Sequence, residues 1–145
     1  MKDGLSEVEF LQYIHKNAEM GIVGINNIIN KVENEAFENL LKREKQEFEE
    51  ICKEAEVILK KYGESNEEIG IIPKISTAVS SNVELIKDDS ISHMAKMMIE
   101  GTNKGIIAVT EKINAYNNND AEIIMLANKL KNNLEENVNN LKKYL

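Results

Sequence analysis

The residue most able to do chemistry in this chain is Glu44, which stands between Leu41 and Phe48 in a run otherwise apolar at helical spacing. A carboxyl buried in such a run must find a hydrogen-bond partner or hold a proton. Counting back through a tight turn near Asn34 sets Glu44 level with Gly21 and Gly24, where missing side chains leave room for water, a ligand or a metal. A slight rotation of the helices takes Glu44 to solvent or to a lysine instead, and that plainer outcome is the expected one. The groups that could join Glu44 at a metal are Glu47, Glu136 and the two histidines, His15 and His93.

Other reactive side chains have ordinary structural readings. The same counting brings His15 level with Cys52, the single cysteine, and an imidazole beside a thiol can make it reactive. No third group is placed to orient the histidine, so Cys52 is expected to act as a small core hydrophobe, with a reactive thiol as the alternative. Met94, Met97 and Met98 beside His93 are soft ligands in principle, yet their spacing is that of a helix face and methionine readily fills core gaps. Asn137 falls in the apolar seam of the last helix, where a buried amide can fix register. Gly101 and Gly105 let two helix backbones approach closely. No phosphate-binding glycine loop, nucleophile elbow or Glu-x-x-His motif occurs, and no catalytic residue is expected.

The elements that must position these groups are helices, since apolar residues recur at helical spacing almost throughout and no alternating stretch predicts a strand. The first helix, roughly 5–32, carries Leu11, Ile14, Ala18, Gly21, Ile25, Ile28 and Val32 on its seam, with Ser6 and Glu9 as a capping box. The second carries Phe37, Leu41, Glu44, Phe48, Ile51, Ala55, Ile58 and Tyr62, and Gly63 stops it. A crossover over 64–89 predicts a short helix from Pro73 to about Lys87, with Ile72, Ile75, Val79, Val83 and Ile86 inward. The third helix starts at Asp89 or Ser90 and runs to about Tyr116, its seam being Ile91, Ala95, Met98, Thr102, Gly105, Val109 and Tyr116. After Asn117 to Asp120 the last helix turns Ile123, Ala127, Leu130, Leu134, Asn137, Leu141 and Tyr144 inward.

The two halves echo each other. Gly21-Ile22-Val23-Gly24-Ile25 returns as Gly105-Ile106-Ile107-Ala108-Val109, and Leu59-Lys60-Lys61-Tyr62 returns as Leu141-Lys142-Lys143-Tyr144. The chain therefore reads as one domain over 1–145, built from a helical hairpin at 5–63, the crossover, and a second hairpin at 90–145. The fold class is all-α: an antiparallel four-helix bundle with pseudo-twofold packing.

Composition narrows the partners. The 145 residues suffice for a core without disulfides or structural metal. A net charge of −7 and a single arginine, Arg43, argue against nucleic acid. No segment has the apolar length of a membrane span, the N-terminus lacks the apolar stretch of a signal peptide, and one thiol suits a reducing compartment, so a cytoplasmic location is expected.

Two helical hairpins joined by a crossover resemble the ferritin-like superfamily, particularly small uncharacterised bacterial members. The resemblance implies a bundle whose core holds iron or manganese on inward glutamates and two Glu-x-x-His pairs. The nearest equivalents here, Glu44-x-x-Glu47 and Glu136-x-x-Asn139, both lack the histidine. The expected function is accordingly a non-enzymatic bundle, without a cofactor, that associates with itself or with another protein. A ferritin-like metal or redox protein using Glu44, Glu47, Glu136 and His15 or His93 is the first alternative. A small-molecule sensor binding in the core near Gly21, Gly24 and Gly105 is the second.

Overall fold

A computed structural model describes residues 4–64 and 90–145. These residues form four α-helices, α1 (Glu7–Ile28), α2 (Glu35–Lys61), α3 (Ile91–Ala115) and α4 (Ala121–Lys142), with a 3₁₀ turn over Ile29–Lys31 and no strand among them. The helix expected between Pro73 and Lys87 lies outside the described residues.

Every helix begins on a side chain that satisfies its free N–H groups. At α1 the capping box forms as expected: Ser6 Oγ accepts the Glu9 N–H and Glu9 Oε1 accepts the Ser6 N–H, each at 3.1 Å. Asn34 accepts the Phe37 N–H, Ser90 the His93 N–H, and Asp120 those of Glu122 and Ile123. At the end of α2, Gly63 adopts φ +88°, a backbone that side chains resist, and this lets the Glu64 N–H reach back to the Leu59 carbonyl at 3.2 Å.

The four helices pack through one core. Against α1, α2 sets Phe48 on Gly21 and Glu56 on His15. Against α3, the Leu5 N–H just ahead of α1 reaches the Ala115 carbonyl, and Asn17 Nδ2 of α1 reaches the Gly105 carbonyl. Between α2 and α4 the pairs are Lys61 with Glu122, Glu54 with Lys129, and the Phe37 ring with the Tyr144 ring, centroids 4.9 Å apart. In each set the numbering rises on one helix as it falls on the other. The exposed ion pairs contribute little, and burial of the seams carries the stability.

Buried positions on α1, α2 and α4 follow the expected seams, with Leu11, Ile14, Ile25, Leu41, Ile51, Ile123 and Leu130 fully enclosed. Three placements differ. Tyr62 is 42 % exposed, because its hydroxyl donates to Asp120 Oδ2 at 2.5 Å at the surface rather than entering the core. Glu19, outside the expected seam, is buried, with its carboxylate 3.4 Å from His15 Nδ1 one turn back. The middle of α3 is not enclosed: Met94, Ala95 and Val109 are buried, whereas Met98, Thr102 and Gly105 face a cleft.

The internal echo occupies matching places. Leu59 and Leu141 are both fully buried, as are Ile25 and Val109. Tyr62 at the end of α2 meets Asp120 at the start of α4, and Tyr144 beyond the end of α4 meets Phe37 at the start of α2.

Candidate functional site

The glycines that permit the site come from both copies of the echo. Gly21 and Gly24 on α1, and Gly105 with Ala108 on α3, present little beyond backbone to the space between these helices. A Cβ at Gly24 would meet nothing within 4 Å, whereas one at Gly21 would lie 2.5 Å from the Phe48 ring. Small residues therefore serve two purposes on one helix. Gly21 admits an aromatic ring, and Gly24 leaves space.

That space is a cleft of about 610 Å³ between α1 and α3, floored by Glu44 and Phe48 of α2 and Leu134 of α4. Its walls are mostly apolar, with Met20, Met97 and Met98 among them. Polar groups lie toward its two ends. Glu44 stands one turn from Phe48 and hence level with Gly24, in the direction of Asn27. Lys16 and Lys104 line the other end, where Asn17 Nδ2 donates to Tyr13 Oη at 3.2 Å and to the Gly105 carbonyl at 3.4 Å. Eight residues of helix separate Lys16 from Gly24, a span of about 12 Å.

Glu44 does not turn to solvent or to a lysine, contrary to the plainer expectation. It is 1 % exposed, and its Oε2 has no hydrogen-bond partner. Burial, reinforced by the Glu47 charge and only partly opposed by Arg43, pushes its carboxyl up to about 8. Asn27 Oδ1, also on the cleft, is likewise buried and unpartnered. Asn137 is buried as expected, with its Nδ2 unpartnered.

The other sequence-selected residues are dispersed. Glu47 lies across from Glu136 of α4, and burial followed by the Glu136 charge raises the Glu47 carboxyl. His15 of α1 lies level with Glu56, three turns along α2 from Glu44, and is enclosed between Glu19 and Glu56, with Nε2 2.8 Å from Glu56 Oε2. His93 occupies the first turn of α3. Among the described residues no group of three or more His, Cys, Asp or Glu side chains is arranged to hold a metal ion.

The levelling of His15 with Cys52 is observed, though not as an imidazole-thiol contact. Cys52 Sγ faces the His15 backbone carbonyl at 3.8 Å, while the imidazole is engaged by carboxylates. Burial and the charges of Glu19, Glu56 and Glu49 push the thiol up to about 12, which favours its protonated form at neutral pH.

Lys16, Lys104 and Asn27 were not singled out from the sequence. For Asn27 and Lys104 the available signal was the pair of small-residue tracts, since polar neighbours within a turn of Gly24 and Gly105 border whatever space those glycines leave; Lys16, two turns from Gly24, carried no such signal. The chain matches no protein-family model, no curated protein and no solved structure. Fold and site together define, among the described residues, an all-helical arrangement of four helices with an apolar cleft and a buried acid on its floor, and none of these helices is long and apolar enough to cross a membrane.

Proposed function

We propose that this chain binds a small apolar molecule between its helices, near Gly21, Gly24 and Gly105, and works as a binding protein or sensor rather than an enzyme. The observation that carries this reading is the cleft of about 610 Å³ with an unpartnered, buried carboxyl on its floor. Ligand sites are typically concave, mostly apolar and supplied with a few polar groups of this kind. The arrangement underlying it is an antiparallel bundle of two hairpins, supported by the opposed residue order in each helix pair. A ferritin-like relationship rests on the two-hairpin pattern alone.

The neutral, environment-sensitive dye Nile red tests the reading. Fluorescence enhancement saturating at one dye per chain is expected, and Gly24→Leu, which extends a side chain into open space, should weaken binding at least tenfold. Equal binding by wild type and Gly24→Leu would remove the cleft as the site.

Self-association is the second reading, favoured by large apolar side chains left in solvent: Met20, Val57, Ile107 and Met125, the last 72 % exposed. Light scattering across a concentration series should then show a dimer that Met125→Lys dissociates; a monomer at every concentration overturns it.

A further inference from the structure

We propose that the cleft takes an apolar organic amine whose ammonium group pairs with the Glu44 carboxylate. This deepens the small-molecule reading and rests on it.

Glu44 Oε2 lies buried on the cleft floor without a hydrogen-bond partner, and once ionised the carboxyl offers acceptors only. What the site lacks is thus an N–H donor approaching from the cleft. The surfaces around it suit the remainder of such a ligand. Phe48 adds an aromatic ring to the lining, and the methionines Met20, Met97 and Met98 give adaptable apolar walls.

The position of the lysines sets the polarity of the bound molecule. Lys16 and Lys104 line the opposite end, about 12 Å of helix away, so an ammonium is drawn to Glu44 and repelled from that end. An apolar anion would seek the lysines and lay its tail against the buried acid, leaving Oε2 unsatisfied. A neutral alcohol could accept one hydrogen bond from protonated Glu44, but a charge-assisted bond is roughly twice as strong. The net charge of −7 further favours the approach of cations.

Proton balance follows directly. Free Glu44 holds a proton, the ligand arrives as R–NH3+, and the complex is the carboxylate-ammonium pair with one proton released to solvent. Because the carboxyl lies at about 8, that release is inexpensive near neutral pH. The charged groups that act on Glu44 are Glu47 and Arg43 on its own helix; Glu136 of α4 acts on Glu47, and Lys16 of α1 and Lys104 of α3 stand at the far end of the cleft.

A matched set of ligands tests the assignment on the full chain: 4-phenylbutylamine, 4-phenylbutanoate and 4-phenylbutanol, titrated calorimetrically at pH 6, 7 and 8 in two buffers of different ionisation enthalpy. The amine should bind at least tenfold more tightly than the alcohol at pH 8. Its affinity should rise ~50-fold from pH 6 to pH 8, following the ionised fraction of Glu44, with close to one proton released at pH 6. Glu44→Gln should abolish both the preference and the pH dependence while still binding the alcohol, and that retained binding reports an intact cleft. Should Glu44→Gln not fold, the proton count and pH profile of the wild type decide the matter. Alcohol and amine binding equally, the butanoate binding tightest, or an amine preference that survives in Glu44→Gln would each overturn the amine assignment while leaving the cleft in place. Failure of all three ligands to bind removes the small-molecule reading as well.

Discussion

Glu44→Met should stabilise the protein, by about 1 kcal/mol at pH 5 and about 5 kcal/mol at pH 9, raising Tm at pH 9 by roughly 10–20 °C. The wild type holds a carboxyl in a place where ionisation is resisted by burial and by Glu47, so its folded-state value lies near 8 against an unfolded value of 4.5. Below about 4.5 both states are protonated and the group contributes its full share to stability. As pH rises the unfolded chain ionises first, so the folded state binds more protons and stability falls until the folded carboxyl also ionises, near 8. A methionine of similar volume ends this loss, replaces an unpartnered polar group with an apolar one, and faces an apolar cleft.

The remaining titrations shape the profile without reversing it. Glu47 is also raised, by burial and then by Glu136, but is only partly enclosed, so a shallow decline of the same sign should persist in the variant. Glu7 is lowered by a backbone hydrogen bond and then by Asn118, and Asp120 chiefly by the Tyr62 hydroxyl. Both act in the opposite sense, contributing stability above their unfolded values that is lost as pH falls through their folded ones. Being largely solvated, they affect only the acid limb. Urea unfolding at pH 5, 7 and 9 checks the whole pattern, and parallel declines in wild type and Glu44→Met would show that Glu44 does not carry the slope.

The sequence was most legible where a helix is packed along its full length. Ile123, Ala127, Leu130, Leu134, Asn137 and Leu141 of α4 are all buried as their spacing predicts, because other helices cover that stripe continuously. It was least legible along α3, whose periodicity marks Met98, Thr102 and Gly105 as inward but says nothing about whether a partner fills the space opposite. Glu19 was hidden for a related reason. A helical wheel places it beside the seam, and only the position of His15 relative to Glu56 shows why a carboxylate is drawn inward there. Glu44 could be recognised as anomalous from spacing alone, but its lack of a partner depends on a few degrees of helix rotation, which no spacing encodes.

Two substitutions one turn apart on α1 should move stability in opposite directions: Gly21→Ala should lose about 1–2 kcal/mol, and Gly24→Ala should gain up to about 1 kcal/mol. Alanine in place of glycine restricts the unfolded chain and favours helix at both positions, so this common gain cancels when the two are compared. What remains is packing. At Gly21 the new Cβ would lie 2.5 Å from Phe48 Cε2 and 2.7 Å from Cδ2 and Cζ, so the buried ring must swing toward the cleft or push the helices apart. At Gly24 the new methyl meets nothing within 4 Å. Trimming the ring in Phe48→Leu should relieve the clash, so the double variant should recover part of the Gly21→Ala loss relative to Phe48→Leu alone. Chemical denaturation of the four variants decides the matter. Equal stabilisation by both alanines would mean that helix propensity alone governs this face and that Gly21 is not pressed against Phe48.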